Sequence, residues 1–168
     1  SSNLERLLYS VCGSDTEGAG YMAELAGTGR YEVSDAVKDV IGKHFVGGYC
    51  SDDETKSAIN KVYTENGYLM DTHTAVAYNK LAAYRKDTGC VTPAVVVSTA
   101  SPYKFCNSVL QALGQESDAP GTELIEKLSE VTKTAIPKPL EGLDRREKRF
   151  ELVVDKPEMK ATVADFLK

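Results

Sequence analysis

The stretch Thr92-Pro93-Ala94-Val95-Val96-Val97-Ser98-Thr99-Ala100-Ser101-Pro102-Tyr103-Lys104-Phe105 decides how this chain is read. Three successive valines favour a buried strand, Pro93 marks its start, and a hydroxyl-rich turn breaks it. Pro102 fits the first turn of a following helix, where no amide hydrogen is needed. In open α/β sheets ligands bind in the crevice beyond the carboxyl ends of the strands. Ser98, Thr99 and Ser101 therefore become the first candidate site residues.

Working outward, 168 residues with 42% hydrophobic content can bury a core as one domain, or one domain with an appendage. A net charge of -5 and a pI near 5.1 argue against a general binder of nucleic acid or anionic membrane. The basic cluster Arg145-Arg146-Glu147-Lys148-Arg149 reads as a solvated turn. No apolar run is long enough to span a bilayer, and no charged-then-apolar leader opens the chain, which leads to the expectation of a cytoplasmic protein. Cys12, Cys50, Cys90 and Cys106 are scattered without a Cys-x-x-Cys pair, so ordinary reduced thiols are expected and no metal site. The chain begins at Ser1 without an initiator methionine, as if cut from something longer.

Helices alternate with short β segments along the chain, an α/β pattern. Asn3 is expected to cap a helix through Val11, a second runs from Thr16 to Ala26, and residues 30–33 form a short strand before Ser34 caps a helix through Phe45. Ser51 stands three residues before Glu54, the spacing of a capping box, and Gly67 ends the helix it opens. A further helix runs from Thr74 to near Gly89. After the valine strand come helices from Pro102 to Leu113 and, past a linker at Ala119-Pro120-Gly121, from Thr122 to Thr132. A kink at Ile136-Pro137-Lys138-Pro139, a strand over 150–154 and a helix from Pro157 to Leu167 complete the reading.

Several motifs are bland on inspection. Gly18-Ala19-Gly20-Tyr21-Met22-Ala23 fits a dinucleotide fingerprint, yet it follows a helix start rather than a strand. Asp52, Asp53 and Glu54 suit a helix N-terminus, and His44 the end of a helix, through the macrodipole. Asp71-Thr72-His73-Thr74 is different. Asp71 and His73 flank a helix start that Thr72 or Thr74 could cap, and an aspartate close to a histidine can fix the imidazole tautomer and raise its basicity, which makes His73 a candidate catalytic residue; the alternative is an elaborate cap with a satisfied histidine.

Together, SSNLERLL at the start, DDETKSAINKVYTENGYLMDTHTAVAY from Asp52 and TPAVVVSTASPYKF from Thr92 resemble the C-terminal part of threonine synthase. The resemblance runs from Ser1 to about Leu113, with a weaker echo to the end. Thr72 stands where the family more commonly has proline, leaving Asp71, His73 and Thr74 intact.

The resemblance implies a fold of the tryptophan-synthase-β-like class (fold type II, α/β): a helix-rich C-terminal portion with a short, mostly parallel sheet flanked by helices. Residues 1–118 would belong to the large cofactor domain and 119–168 to a C-terminal α+β extension. It implies a pyridoxal 5'-phosphate lyase that converts O-phosphohomoserine and water to threonine and phosphate in threonine biosynthesis. The Schiff-base lysine and the glycine-rich cofactor-phosphate loop of the family lie in more N-terminal sequence, and neither pattern occurs here. A fragment that is inactive alone is therefore expected, with the missing N-terminal part as its partner.

Thr99 matches the family's hydroxyl that hydrogen-bonds the pyridine nitrogen, and the competing reading is a tie to local backbone. Lys104 offers a point charge for an anionic substrate or cofactor, or else a surface cation. Asn3, Glu5 and Arg6 belong to the opening motif without an assigned chemical role. An orphaned sheet edge or apolar face would favour a homodimer. Two other readings stand beside the enzyme: a noncatalytic interaction module that keeps the fold, and a phospho-lyase acting on a related substrate.

Overall fold

Apolar residues spaced three and four apart, punctuated by glycines that accept positive φ, make this chain helical. A computed structural model describes residues 2–116, 119, 121–147 and 149–167, and among them it holds eight α-helices. They are α1 (Ser2–Cys12), α2 (Asp15–Thr28), α3 (Asp35–Gly42), α4 (Asp52–Asn66), α5 (Thr72–Thr88), α6 (Cys106–Ala112), α7 (Glu123–Thr132) and α8 (Met159–Phe166). The chain divides into two compact units, Ser1–Tyr49 and Cys50–Lys168.

In the first unit α1 packs against α2 and α3 and buries Leu8, with Tyr21 and Val37 buried on the other two helices. The amide of Glu17 donates to the Ser14 hydroxyl at the start of α2, and that of Val37 donates to the Ser34 hydroxyl at the start of α3. Glu17 links the two helix starts: its Oε1 accepts from Tyr21 Oη at 2.5 Å and from Ser34 Oγ at 2.9 Å. These bonds, the tyrosine's foremost, hold the Glu17 carboxyl below the usual carboxylate range. The third helix stops at Gly42 rather than at Phe45, which lies exposed.

The second unit is built on α4, which packs against both α5 and α6, while α6 packs on α7. Ile59, Ala75, Val109, Leu110 and Leu128 are completely buried at these contacts. The expected capping box forms: the Glu54 amide donates to Ser51 Oγ at 3.2 Å, and the Ser51 amide donates to Glu54 Oε2 at 2.8 Å. Gly67, at φ 67°, ends α4 and lets the chain turn toward Asp71, which caps α5. A 3₁₀ turn over Pro102–Phe105 leads directly into α6, with Pro102 in its first turn and the Tyr103 amide donating to Ser101 Oγ. Leu124, Ile125 and Leu128 of α7 join the core of α4 to α6, so residues on both sides of 118 share one apolar interior. Asp118 and Pro120, where the expected boundary and linker fall, and Lys148 of the basic cluster lie outside the described residues.

The expected sheet is corrected. Among the described residues there is no β-strand; residues 30–33, 90–99 and 150–154 are irregular, without strand pairing. The valine segment is open to solvent, with Val95 at 89% and Val97 at 66% exposure, instead of buried. The reason is physical: a strand draws its ladder and its covering from neighbours, and the described residues supply none beside the valines. The last segment is alike, Leu152 and Val153 being exposed; it leads through a 3₁₀ turn at Lys156–Glu158 into α8.

Candidate functional site

Asp71 has no exposed surface, a placement an acidic side chain tolerates only when its oxygens are bonded. Its Oδ1 accepts from the amides of His73 at 2.8 Å and Thr74 at 3.4 Å, which satisfies two of the orphan donors at the start of α5. Its Oδ2 accepts from the hydroxyl of Thr74, itself buried. Thr74 Oγ1 then lies 3.2 Å from Ser98 Oγ, far away in sequence on the exposed turn.

His73 differs in exposure. Its side chain is 61% exposed, and its Nδ1 stands 3.4 Å from both Asp71 Oδ1 and Thr72 Oγ1. A proton on Nδ1 would face the carboxylate and leave Nε2 as an acceptor. The ring tilts against Phe105 at 5.0 Å between centroids, and Lys104 Nζ lies 5.6 Å from the same Phe105 ring. That second distance is within cation–π reach. Phe105 thus brings the expected catalytic and anion-attracting residues to neighbouring positions.

His73 also lines a cleft of about 380 Å³ where the starts of α4 and α5 meet one side of α6. Asp52, Thr55 and Lys56 come from α4, Thr72 and Val76 from α5, and Ser108 and Gln111 from α6. The mixture of cation, carboxylate, imidazole, hydroxyls and amide suits a small polar molecule rather than an apolar one. The sequence reading missed Lys56, Ser108 and Gln111. A signal for Lys56 existed in its place one turn into a helix whose cap had been identified; nothing local pointed to Ser108 or Gln111.

Thr99 lies on the exposed turn next to Ser98, and among the described residues its hydroxyl has no hydrogen-bond partner. Ser98 Oγ lies between Thr74 Oγ1, at 3.2 Å, and the Ala100 carbonyl, at 3.5 Å, and Ser101 caps the 3₁₀ turn. Asn3 bonds Arg6 within α1. Among the described residues no group of three or more His, Cys, Asp or Glu side chains is placed to hold a metal ion. No described helix is long and apolar enough to cross a membrane.

Comparison with known proteins places the chain in one family. The family described as threonine synthase, C-terminal, matches residues 74–164. Threonine synthase-like 1 of Homo sapiens is 36% identical over 118 residues, which cover 67% of this chain and 15% of that protein. The threonine synthase of Methylobacillus glycogenes is 28% identical over 159 residues, 91% of this chain and 29% of its own length. Among solved structures, yeast threonine synthase aligns with a TM-score of 0.71 at 26% identity, covering 99% of this chain and 34% of that one. Threonine synthase from Brucella melitensis, solved with PLP bound, aligns with a TM-score of 0.57 at 31% identity, covering 81% of this chain and 28% of that one. The chain therefore spans about a third or less of the length of these relatives.

Proposed function

Because the chain belongs to the threonine synthase family, we propose that it is the C-terminal portion of a pyridoxal-phosphate lyase that converts O-phosphohomoserine and water to threonine and phosphate. The observation that carries this reading is the turn at 98–105, which holds a neutral hydroxyl, Thr99, exposed and without a partner among the described residues, at the end of an irregular segment. That donor fits the pyridine nitrogen of the cofactor. The match is confined to that one contact, since the chain contains neither the lysine motif nor the phosphate loop of the family. Residues 1–118 would complete the cofactor domain and 119–168 the extension, and the chain alone would be inactive.

The bound cofactor supplies an electron sink for the substrate's carbon skeleton. This chain's own residues act around it. Thr99 offers the ring nitrogen a hydrogen bond from a neutral group, so the protein does not hold a proton there as a carboxylate would. His73, with Nδ1 turned to Asp71, presents Nε2 as a proton acceptor at the cleft. Lys104, beside Phe105, adds positive charge that favours a phosphate-bearing substrate. The exposed valines would become a strand of a parallel sheet once the rest of the longer chain pairs with them.

Supplying the full-length protein with pyridoxal phosphate and O-phosphohomoserine tests the reading. Threonine and phosphate released in equal amounts support it. A second reading is favoured by the identity to threonine synthase-like 1, which exceeds that to the Methylobacillus glycogenes threonine synthase: a threonine-synthase-like protein that acts on a related phosphorylated substrate, or on none. Phosphate release from another γ-phosphorylated amino acid, without threonine formation, would select the first of these. A protein that never takes up the cofactor would be the noncatalytic module.

A further inference from the structure

We infer that Asp71 is a positioning residue for Thr99, acting through Thr74 and Ser98. The inference rests on the proposal that Thr99 meets the cofactor, and it adds how that hydroxyl is held in place. An ordinary aspartate cap needs one oxygen and sits at the surface. Asp71 is completely buried and uses both oxygens, Oδ1 on two amides of α5 and Oδ2 on the Thr74 hydroxyl.

The direction of the protons follows from what each group can give. A carboxylate has no proton to donate, so the single hydroxyl hydrogen of Thr74 belongs to Asp71. The oxygen of Thr74 is then an acceptor toward Ser98, 3.2 Å away, and the Ser98 hydroxyl hydrogen turns inward. The chain of bonds thus runs from a rigid helix start to the residue preceding Thr99.

That link matters because, among the described residues, little else holds the segment. Among the described residues, residues 93–97 make no backbone hydrogen bonds. Two side-chain bonds connect the stretch 92–99 to a helix: Arg85 donates to the Thr92 carbonyl at 2.9 Å at one end, and Thr74 meets Ser98 at the other. A hydroxyl that must meet a ring nitrogen within a few tenths of an ångström needs such a supporting shell. The bond at Ser98 fixes the backbone from which Thr99 projects.

The test compares Thr74→Val, Thr74→Ser and Ser98→Ala with the parent in the full-length protein. It follows amide hydrogen exchange of the peptide over 96–101 and the visible absorbance of the bound cofactor. Thr74→Val and Ser98→Ala are each expected to raise exchange over 96–101 about tenfold and to move the absorbance band in the direction that Thr99→Ala moves it. Thr74→Ser, which keeps the hydroxyl, is expected to match the parent on both readouts. Ser98→Ala protects the test against misfolding, because Ser98 is exposed and its loss leaves the Asp71–Thr74 bond intact. Unchanged exchange in Ser98→Ala overturns the inference. If exchange rises in both variants while Thr99→Ala leaves the band where it was, the cofactor role of Thr99 is overturned and the hold of Asp71 on the turn is upheld.

Discussion

At the scale of single residues, Asp71 carries the largest consequence. Replacing it by Ala removes the cap of α5 and the carboxylate acceptor of the buried Thr74 hydroxyl, at a cost of about 2–4 kcal/mol, read as a lower urea midpoint. His73 separates structure from chemistry more cleanly. Its side chain is mostly solvent-exposed, so His73→Ala is expected to change stability by less than about 0.5 kcal/mol while lowering kcat in the full-length protein. A lost melting temperature with unchanged kinetics would instead make His73 part of the cap. The motif Asp71-Thr72-His73-Thr74 made the helix start legible from sequence, because cap chemistry is local, but the expected cap was Thr72 or Thr74 and the structure gives it to Asp71. The bond from Thr74 to Ser98 was not legible, since no pattern within a helix or turn reports on a partner that distant in the chain.

At the scale of elements, helix starts depend on carboxylates, and that makes the fold sensitive to acid. The Glu54 carboxyl is held below its usual range, first by the Ser51 amide and then by the Ser51 hydroxyl; Glu17 is held down by Tyr21 and Ser34. A carboxyl whose folded pKa is depressed contributes stability that is present above its unfolded value and is lost as pH falls through the folded one. Unfolding midpoints are therefore expected to fall with pH below the ordinary carboxylate range. Glu54→Gln, which keeps an acceptor for the cap but cannot ionise, is expected to flatten that slope; an unaltered slope would deny Glu54 its part. Helices were readable because their stops are glycines such as Gly67 and Gly89, both at positive φ, and their starts are hydroxyls or carboxylates. The strands were misread as paired because Val95, Val96 and Val97 announce a preference for burial without naming what buries them.

At the scale of the whole molecule, the core and the open segments are two halves of one argument. The second unit is held by its own interior, so Leu110→Ala, at a position with no exposure, is expected to cost about 2–5 kcal/mol in denaturant unfolding. The valine segment is open to solvent among the described residues, and on the proposed reading it would join an interior that a longer chain completes. The most direct measurement of the central claim is the visible absorbance of the full-length protein with pyridoxal phosphate, parent against Thr99→Ala. The account predicts a band in the parent that shifts in the variant, together with a lower rate of threonine formation. Identical spectra and rates in the two proteins would contradict it.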